Sequence, residues 1–98
     1  MVAPNTPRPS RFPLGQTVAT PGALHALEQA GQTPLELFVR HQQGDWGEVC
    51  DEDQRANEQA LLHGQRLLSA YTLKNNMKVW IISEADRSVT TILLPDEY

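Results

Sequence analysis

The sequence is poor in the residues on which several structural classes and many specific chemistries depend. Cys50 is the only cysteine, which excludes an internal disulfide and any zinc site built from several cysteines. No apolar run approaches the roughly 20 residues that a membrane-spanning helix needs. Met1 is followed by prolines and arginines instead of the apolar segment that is typical of a secretory signal. These absences predict a protein without a membrane partner and with a cytoplasmic location.

Basic residues are also scarce. Eight Lys and Arg stand against twelve Asp and Glu, so that the formal net charge is −4, and the only lysines are Lys74 and Lys78. Because binding to a nucleic-acid backbone depends on neutralising phosphates with Lys and Arg, this balance disfavours a nucleic-acid partner. An acidic surface suits a protein partner with a basic surface, since complementary potentials steer association.

Sequence motifs of known catalytic and cofactor sites are absent as well. There is no Gly-rich phosphate loop, nucleophile elbow or set of paired metal ligands. His25 and Glu28 have the spacing of half a metal site, but no third ligand accompanies them. We therefore expect neither a metal nor a cofactor, and we expect a binding function more than an enzymatic one.

The chain is predicted to consist of a short arm and one domain. Residues 1–13, MVAPNTPRPSRFP, contain four prolines and two arginines. Proline removes backbone donors and restricts the residue before it, so this arm is predicted to be disordered or extended. Residues 14–98 are enough for a single domain with one modest hydrophobic core. Within them, Leu14 to Thr20 is a candidate edge strand.

Three helices are predicted from the signals at their ends, which are threonine or aspartate caps, prolines at the first position and terminal glycines. In the second helix, Glu36 completes a capping box. Its spacing predicts that Leu35, Phe38 and Val39 face the core. The predicted starts and ends are Thr20–Pro21 and Gly31, Thr33–Pro34 and Gly44, and Asp51 and Gly64.

The last third of the chain, Arg66 to Pro95, predicts an antiparallel meander of three strands. Its three runs of β-formers are separated by Asn75–Asn76, a candidate type I′ turn, and by the polar segment 84–88. The predicted fold class is therefore α+β, with three short N-terminal helices packed on a three- or four-stranded antiparallel β-meander. The middle strand, Lys78 to Ser83, is apolar on both faces, which leaves the face centred on Trp80 for the N-terminal segment or for a partner.

Four long motifs resemble those of a known group of bacterial proteins. The motifs are LGQTVATPGAL (14–24), RHQQGDWG (40–47), LLSAYTL (67–73) and SEADRSVTTILLPDEY (83–98). Together they resemble the small uncharacterised proteins labelled plasmid-related in bacterial mobile elements, some of which carry a label borrowed from type I restriction enzymes. The resemblance implies a mobile-element context, in which small proteins regulate plasmid functions or counter host defence. It implies no activity, and the chain is too short to hold a methyltransferase domain.

The order of elements is also similar to that of the RelE/barnase-like ribonucleases. That likeness implies an RNA site on the sheet, with Glu84, His41 and Arg87 in the roles of base, acid and cation. Tyr71 and Thr91 would lie beside them. The acidic net charge argues against this alternative, because such toxins are usually basic.

Two hypotheses for the function follow. The favoured one is a non-enzymatic interaction protein of mobile-element origin that regulates or inhibits a host or element-borne complex through an acidic or sheet-edge surface. The alternative is a metal-independent ribonuclease. Self-association through a sheet edge or through the Trp80 face remains open. The candidate partner-binding residues are Trp80, Trp46, Asp45, Glu84 and Arg87.

Overall fold

Three α-helices and four β-strands make up residues 9–98, the part of the chain that the computed structural model describes. In chain order they are β1 (Gln16–Ala19), α1 (Pro21–Ala30), α2 (Pro34–Gln42), α3 (Asp51–His63), β2 (Leu67–Thr72), β3 (Lys78–Ser83) and β4 (Val89–Leu93), followed by a short 3₁₀ helix, Pro95–Glu97. The α+β class is confirmed. None of the helices in this part of the chain is long and apolar enough to cross a membrane.

The sheet has the strand order β1-β4-β3-β2. β2, β3 and β4 pair antiparallel with their neighbours in the chain, as the predicted meander requires. β1 adds to the outer edge of β4 in parallel orientation, with Thr17 beside Thr90 and Ala19 beside Ile92. The fourth strand therefore departs from the predicted antiparallel arrangement. A parallel pair needs a long crossover, and the connection from β1 to β4 supplies one because it contains all three helices.

The two threonine caps that were predicted from the sequence are present. Thr20 Oγ1 accepts the N–H of Ala23 at 3.1 Å. In the capping box of α2, Thr33 Oγ1 accepts the N–H of Glu36 at 3.4 Å, and the Glu36 carboxylate accepts the N–H of Thr33 at 3.3 Å. Local signals therefore determine where the first two helices begin.

Two predicted helix limits are wrong by one residue. α2 is capped by Gln43, whose φ of −84° is still helical, and the chain turns only at Gly44, whose φ is 86°. The N-cap of α3 is Cys50, which has extended backbone and makes no side-chain cap bond, whereas Asp51 is the first helical residue. The Asp51 carboxylate favours the helix from the first turn through the helix dipole instead of through a cap.

The predicted buried face of α2 is also wrong. Phe38 is buried, but Leu35 and Val39 are 68% and 38% exposed, and the buried positions beside Phe38 are Leu37 and His41. The prediction from apolar spacing was wrong because the helix buries a polar residue, His41, against the sheet. Hydrogen bonds in the interior compensate for its burial, as described below.

The turn between β2 and β3 is not of the predicted type I′. Asn76 has a positive φ, 67°, and Asn75 does not. The turn closes with hydrogen bonds from the N–H of Asn76 to the carbonyl of Leu73 and from the N–H of Leu73 to the carbonyl of Met77. The Asn75 side chain donates to the carbonyl of Ala26 at 3.2 Å, which ties this turn to α1.

The hydrophobic core has two parts. The larger one lies between α1, α2 and the inner face of the sheet, and the smaller one consists of Phe12, Trp46, Ala60 and Leu67. The N–H of Arg11 donates to the carbonyl of Gln42 at 2.8 Å. The packed chain thus includes Arg11 and Phe12, which precede the predicted domain boundary at Leu14, while residues 1–8 of the predicted arm lie outside the described residues.

Two sets of hydrogen bonds occupy the outer edge of β2. Asn57 of α3 is 4% exposed, and its side-chain amide donates to the carbonyl of Leu68 at 2.7 Å and accepts the N–H of Leu68 at 3.1 Å. Two residues further along β2, the N–H of Ala70 donates to the carbonyl of Trp46, and the carbonyl of Ala70 accepts the N–H of Glu48. The backbone groups of Leu68 and Ala70 are therefore not available to another strand.

Candidate functional site

The motif RHQQGDWG forms the end of α2 and a turn that docks against β2. The Arg40 guanidinium donates to the Asp45 carboxylate at 2.7 Å and lies 4.5 Å from the centre of the Tyr71 ring. The Tyr71 hydroxyl donates to the Asp45 carbonyl at 2.6 Å, and burial raises the pKa of the Tyr71 phenol. At Gly47 a Cβ would overlap the Ala70 carbonyl. These contacts give the motif a structural role.

His41 is completely enclosed between α2 and the sheet. Its side chain has no exposed surface. Nδ1 lies 2.6 Å from Ser69 Oγ, and Nε2 lies 2.9 Å from Ser83 Oγ. The rings of Phe12 and Trp46 meet the imidazole edge-on, with centroids 5.2 and 5.7 Å away. Both ring nitrogens are therefore satisfied inside the protein.

The hydrogen bonds around His41 determine which nitrogen carries the proton. Thr90 Oγ1 donates to the carbonyl of Leu14 at 2.7 Å, which uses its only proton. Ser83 Oγ, 2.7 Å from Thr90 Oγ1, must therefore donate to it. Ser83 then has no proton left for the imidazole, so the Nε2–H of His41 donates to Ser83 and Nδ1 accepts from Ser69. We call these five residues the His41 network.

The charge state of His41 follows from its surroundings. Burial, and to a smaller extent the positive charge of Arg87, lower the pKa of the imidazole to about 3. The ring is consequently neutral at neutral pH. A general acid must both carry a transferable proton and reach its substrate. His41 is neutral and sealed from solvent, and its two hydrogen bonds join α2 to β2 and β3, with β4 reached through Ser83.

Arg87 is engaged with backbone carbonyls. Its guanidinium donates to the carbonyls of Gln65 at 2.6 Å, Glu84 at 2.9 Å and Ala60 at 3.2 Å. It also lies 5.7 Å from the centre of the Phe12 ring. The Ala60 carbonyl also accepts the N–H groups of Gly64 and Gln65, so Arg87 adds a side-chain bond that ties the end of α3 to the turn between β3 and β4.

The five ribonuclease candidates do not share one surface. His41 and Tyr71 are buried on the inner face of the sheet, and Thr91 lies on the outer face of β4. The Glu84 carboxylate accepts from Arg66 at 3.3 Å in an exposed ion pair. Arg87 approaches His41 closely enough to affect its pKa, but its guanidinium is held by the carbonyls named above.

Sequence reasoning missed the three hydroxyl side chains around His41. Ser69, Ser83 and Thr90 are fully buried and occupy inner-face positions of β2, β3 and β4. A hydroxyl at a position that strand alternation assigns to the core is a signal for a buried polar network, because buried polar groups need partners. That signal identifies the hydroxyls but not the helix residue that joins them.

An open groove lies on the outer face of the sheet, opposite α1 and α2. Its volume is about 250 Å³. Leu68 and Ala70 of β2 and Trp80 of β3 form its apolar walls, and Trp80 stands beside Ala70 in the strand register. The segment from Glu48 to the first turn of α3 forms the opposite rim. We call this depression the Trp80 groove.

The rim of the Trp80 groove is predominantly acidic. Glu48 and Asp53 contribute carboxylates, and Lys78 contributes the basic side chain that faces them. Asp51 and Glu52 lie in the same first turn of α3 as Asp53 and are exposed. Among these five residues four are negative, so the rim attracts cations.

Trp80 separates the open groove from a covered part of the outer face. Tyr98 meets the Trp80 ring at 5.8 Å, and the Tyr98 hydroxyl accepts from Arg66 at 3.0 Å. Ile82 and Leu93 also point to this face but are only 6% and 7% exposed. Trp80 itself is half-buried, with the groove on one side and Tyr98 on the other.

The remaining partner-binding candidates lie elsewhere. Trp46 and Asp45 border a polar depression of about 560 Å³ at the turn after α2, but Trp46 is 5% exposed and its indole N–H donates to Glu58 at 3.0 Å. A third depression, about 540 Å³, lies between α1 and the β2–β3 turn and is bordered by His25 and Met77. Of the predicted candidates, Trp80 combines an aromatic surface with an open groove.

Within residues 9–98, no group of three His, Cys, Asp or Glu side chains is placed to hold a metal ion. Comparison of the chain with protein-family models, curated proteins and solved structures finds no match in any of the three.

Proposed function

We propose that this protein is a small, acidic, non-enzymatic interaction protein that binds a protein partner through the Trp80 groove. The observation that carries the proposal is the groove itself, in which a half-buried tryptophan lies under an acidic rim on the open part of the outer face of the sheet. Aromatic residues at the centre of a partly apolar surface are typical anchors of protein interfaces.

The size of the groove favours a protein side chain over a small-molecule substrate. Small-molecule sites usually have volumes of about 300–1,000 Å³, whereas this groove has about 250 Å³. One or two side chains of a partner fill such a space. An arginine or lysine placed over the Trp80 indole would gain a cation–π contact together with the carboxylates of Glu48 and Asp53. We therefore infer a partner segment that combines basic and apolar residues.

The biological setting of the proposal comes from the resemblance to plasmid-related proteins of mobile elements. In that setting the protein regulates or inhibits a host or element-borne complex, and it acts by occupying a surface of that complex. The ribonuclease alternative gains no support from the geometry, because His41 is neutral and enclosed and Arg87 is held by backbone carbonyls.

Site-specific crosslinking in bacterial host cells tests the proposal. A photo-crosslinking amino acid replaces Lys78 at the rim of the groove or, as a control, Leu35, which is 68% exposed on α2 at the other side of the sheet. We expect a discrete crosslinked protein with a basic surface from position 78 and none from position 35. Mass spectrometry identifies it.

A pair of charge reversals makes the test specific. Asp53→Lys, at the rim, should abolish the crosslink from position 78, whereas Glu28→Lys, at an exposed position of α1, should leave it intact. Crosslinks of equal yield from positions 78 and 35, or an insensitivity to Asp53→Lys, would show that the groove is not the binding surface.

A further inference from the structure

The outer edge of β1 has backbone groups that no segment of residues 9–98 pairs with. The N–H groups of Gln16 and Thr20 donate to the carbonyls of Ser88 and Ile92 on the β4 side. Because successive residues of a strand direct their backbone groups to opposite edges, Thr17 and Ala19 direct theirs away from the sheet. Within residues 9–98, no hydrogen bond is made to these outward groups. Within this part of the chain, the β2 edge is occupied at Leu68 and Ala70, whereas the β1 edge has no partner at Thr17 and Ala19.

The chemistry of this edge differs from that of the rest of the surface. The net charge of the chain is −4, yet residues 12–24, which contain β1, include no charged residue. Gln16, Thr17 and Val18 are exposed, Val18 by 42%. Natural edge strands are commonly protected by lysine, proline or a covering segment. Among the described residues, β1 has none of these, and only its short length limits pairing.

We propose that β1 pairs antiparallel with β1 of a second copy of the chain, which joins two four-stranded sheets into one of eight strands. The pairing is self-complementary when Val18 lies on the two-fold axis. Thr17 of each copy then faces Ala19 of the other, and the outward N–H and C=O groups of both residues form four hydrogen bonds. The two Val18 side chains, now exposed, meet on the outer face as a non-hydrogen-bonded pair.

Charge favours a second copy as the occupant of this edge. Two copies that meet through acidic surfaces such as the rim of the Trp80 groove repel each other, whereas the segment 12–24 carries no charge of its own, and the Glu97 carboxylate beside it accepts a hydrogen bond from Thr20 Oγ1 at 2.6 Å. A strand of four residues gives a small interface, so the dimer is expected to be weak and to dissociate on dilution. The proposal is independent of the Trp80 groove, which lies near the opposite edge of the sheet.

Disulfide trapping tests the register directly. In a Cys50→Ser background, Val18→Cys places two thiols on the two-fold axis, where Cα atoms of a non-hydrogen-bonded pair lie about 4.5 Å apart, within the range that a disulfide spans. Met77→Cys is the matched control, since Met77 is 44% exposed on the turn between β2 and β3. We expect the Val18→Cys protein to form covalent dimers at least about tenfold faster than the control under mild oxidation.

Sedimentation equilibrium from about 10 μM to about 1 mM provides a second test without engineered cysteines. The unmodified chain should shift from monomer to dimer with concentration. Val18→Lys would place the two lysine side chains opposite each other on the two-fold axis, so this variant should remain monomeric. Leu24→Lys, at a residue 40% exposed on α1, should still dimerise. Self-pairing would be refuted if the unmodified chain stays monomeric at all concentrations and Val18→Cys forms covalent dimers no faster than Met77→Cys. The edge would then be left for an extended segment of another protein.

Discussion

The buried imidazole of His41 makes the stability of the fold depend on pH. The pKa of His41 is about 3 in the folded protein and about 6.5 in an unfolded chain. Below pH 6.5 the unfolded state therefore binds a proton that the folded state does not, so lowering the pH favours unfolding. The contribution of His41 to the free energy of unfolding is therefore fully present above pH 6.5. It decreases as the pH falls below 6.5 and is lost by about pH 3.

The size of the effect follows from the difference between the two pKa values. Each pH unit below the unfolded pKa lowers the free energy of unfolding by about 1.4 kcal/mol. The total loss is therefore about 2 kcal/mol at pH 5 and close to about 5 kcal/mol near pH 3. Small domains have unfolding free energies of about 5–15 kcal/mol, so the loss at pH 5 is measurable. Carboxylates with lowered pKa values, such as Glu58, add a loss of the same sign at more acidic pH, which makes pH 5 the better point of measurement.

Urea unfolding at pH 7 and pH 5 measures this effect. The unmodified protein should lose about 2 kcal/mol between the two, whereas His41→Gln, less stable at both, should lose less than about 0.5 kcal/mol, because its site no longer titrates. His25→Gln removes an exposed histidine and should retain the full loss because His41 is still present. An equal loss for the unmodified protein and His41→Gln would refute the argument. If His41→Gln does not fold, an NMR titration of the unmodified protein can show whether His41 stays neutral down to pH 4.

Two substitutions test how the edge of β2 is closed. Gly47→Ala forces a Cβ against the backbone of β2 and should lower the free energy of unfolding, measured by thermal unfolding, by several kcal/mol. In the control, Gly31→Ala, the φ is also positive but the space around the residue is open, so the loss should be about 1–2 kcal/mol. Similar losses for the two variants would mean that the contact at Gly47 is unimportant. Asn57→Leu should cost about 2–3 kcal/mol and accelerate hydrogen exchange at the Leu68 amide, which loses its acceptor. Unchanged exchange at Leu68 would mean that Asn57 does not protect this edge.

Local features of this fold could be predicted because their causes lie within a few residues. The start of α2 needs only Thr33, Pro34 and Glu36, and each acts through the helix backbone nearest to it. The strands of the meander could be recognised because their apolar runs are bounded by polar turns. Local signals also failed in places, as at the predicted N-cap Asp51 and at the turn of Asn75, whose side chain donates to the carbonyl of Ala26 in α1.

Features that depend on distant segments could not be predicted. The parallel addition of β1 to β4 joins segments on opposite sides of the three helices, and no pattern within β1 specifies its direction. The burial of His41 depends on hydroxyls supplied by three strands, so the spacing of α2 alone favoured Leu35 and Val39 instead. The face around Trp80 was expected to need a covering segment or a partner, but its acidic rim comes from Glu48 and the first turn of α3, and sequence analysis predicted only the limits of that helix.

The His41 network also has a consequence for the opposite face of the sheet. Each of the three strands β2, β3 and β4 supplies one hydroxyl to the network, so its hydrogen bonds form only in one strand register. A shift of β3 by one residue would place Ile82 or Glu84 where Ser83 now meets the imidazole. The same shift would move Trp80 away from Ala70, its neighbour in the wall of the groove. The buried polar residues therefore stabilise the interior and also hold the two walls of the proposed binding surface in register.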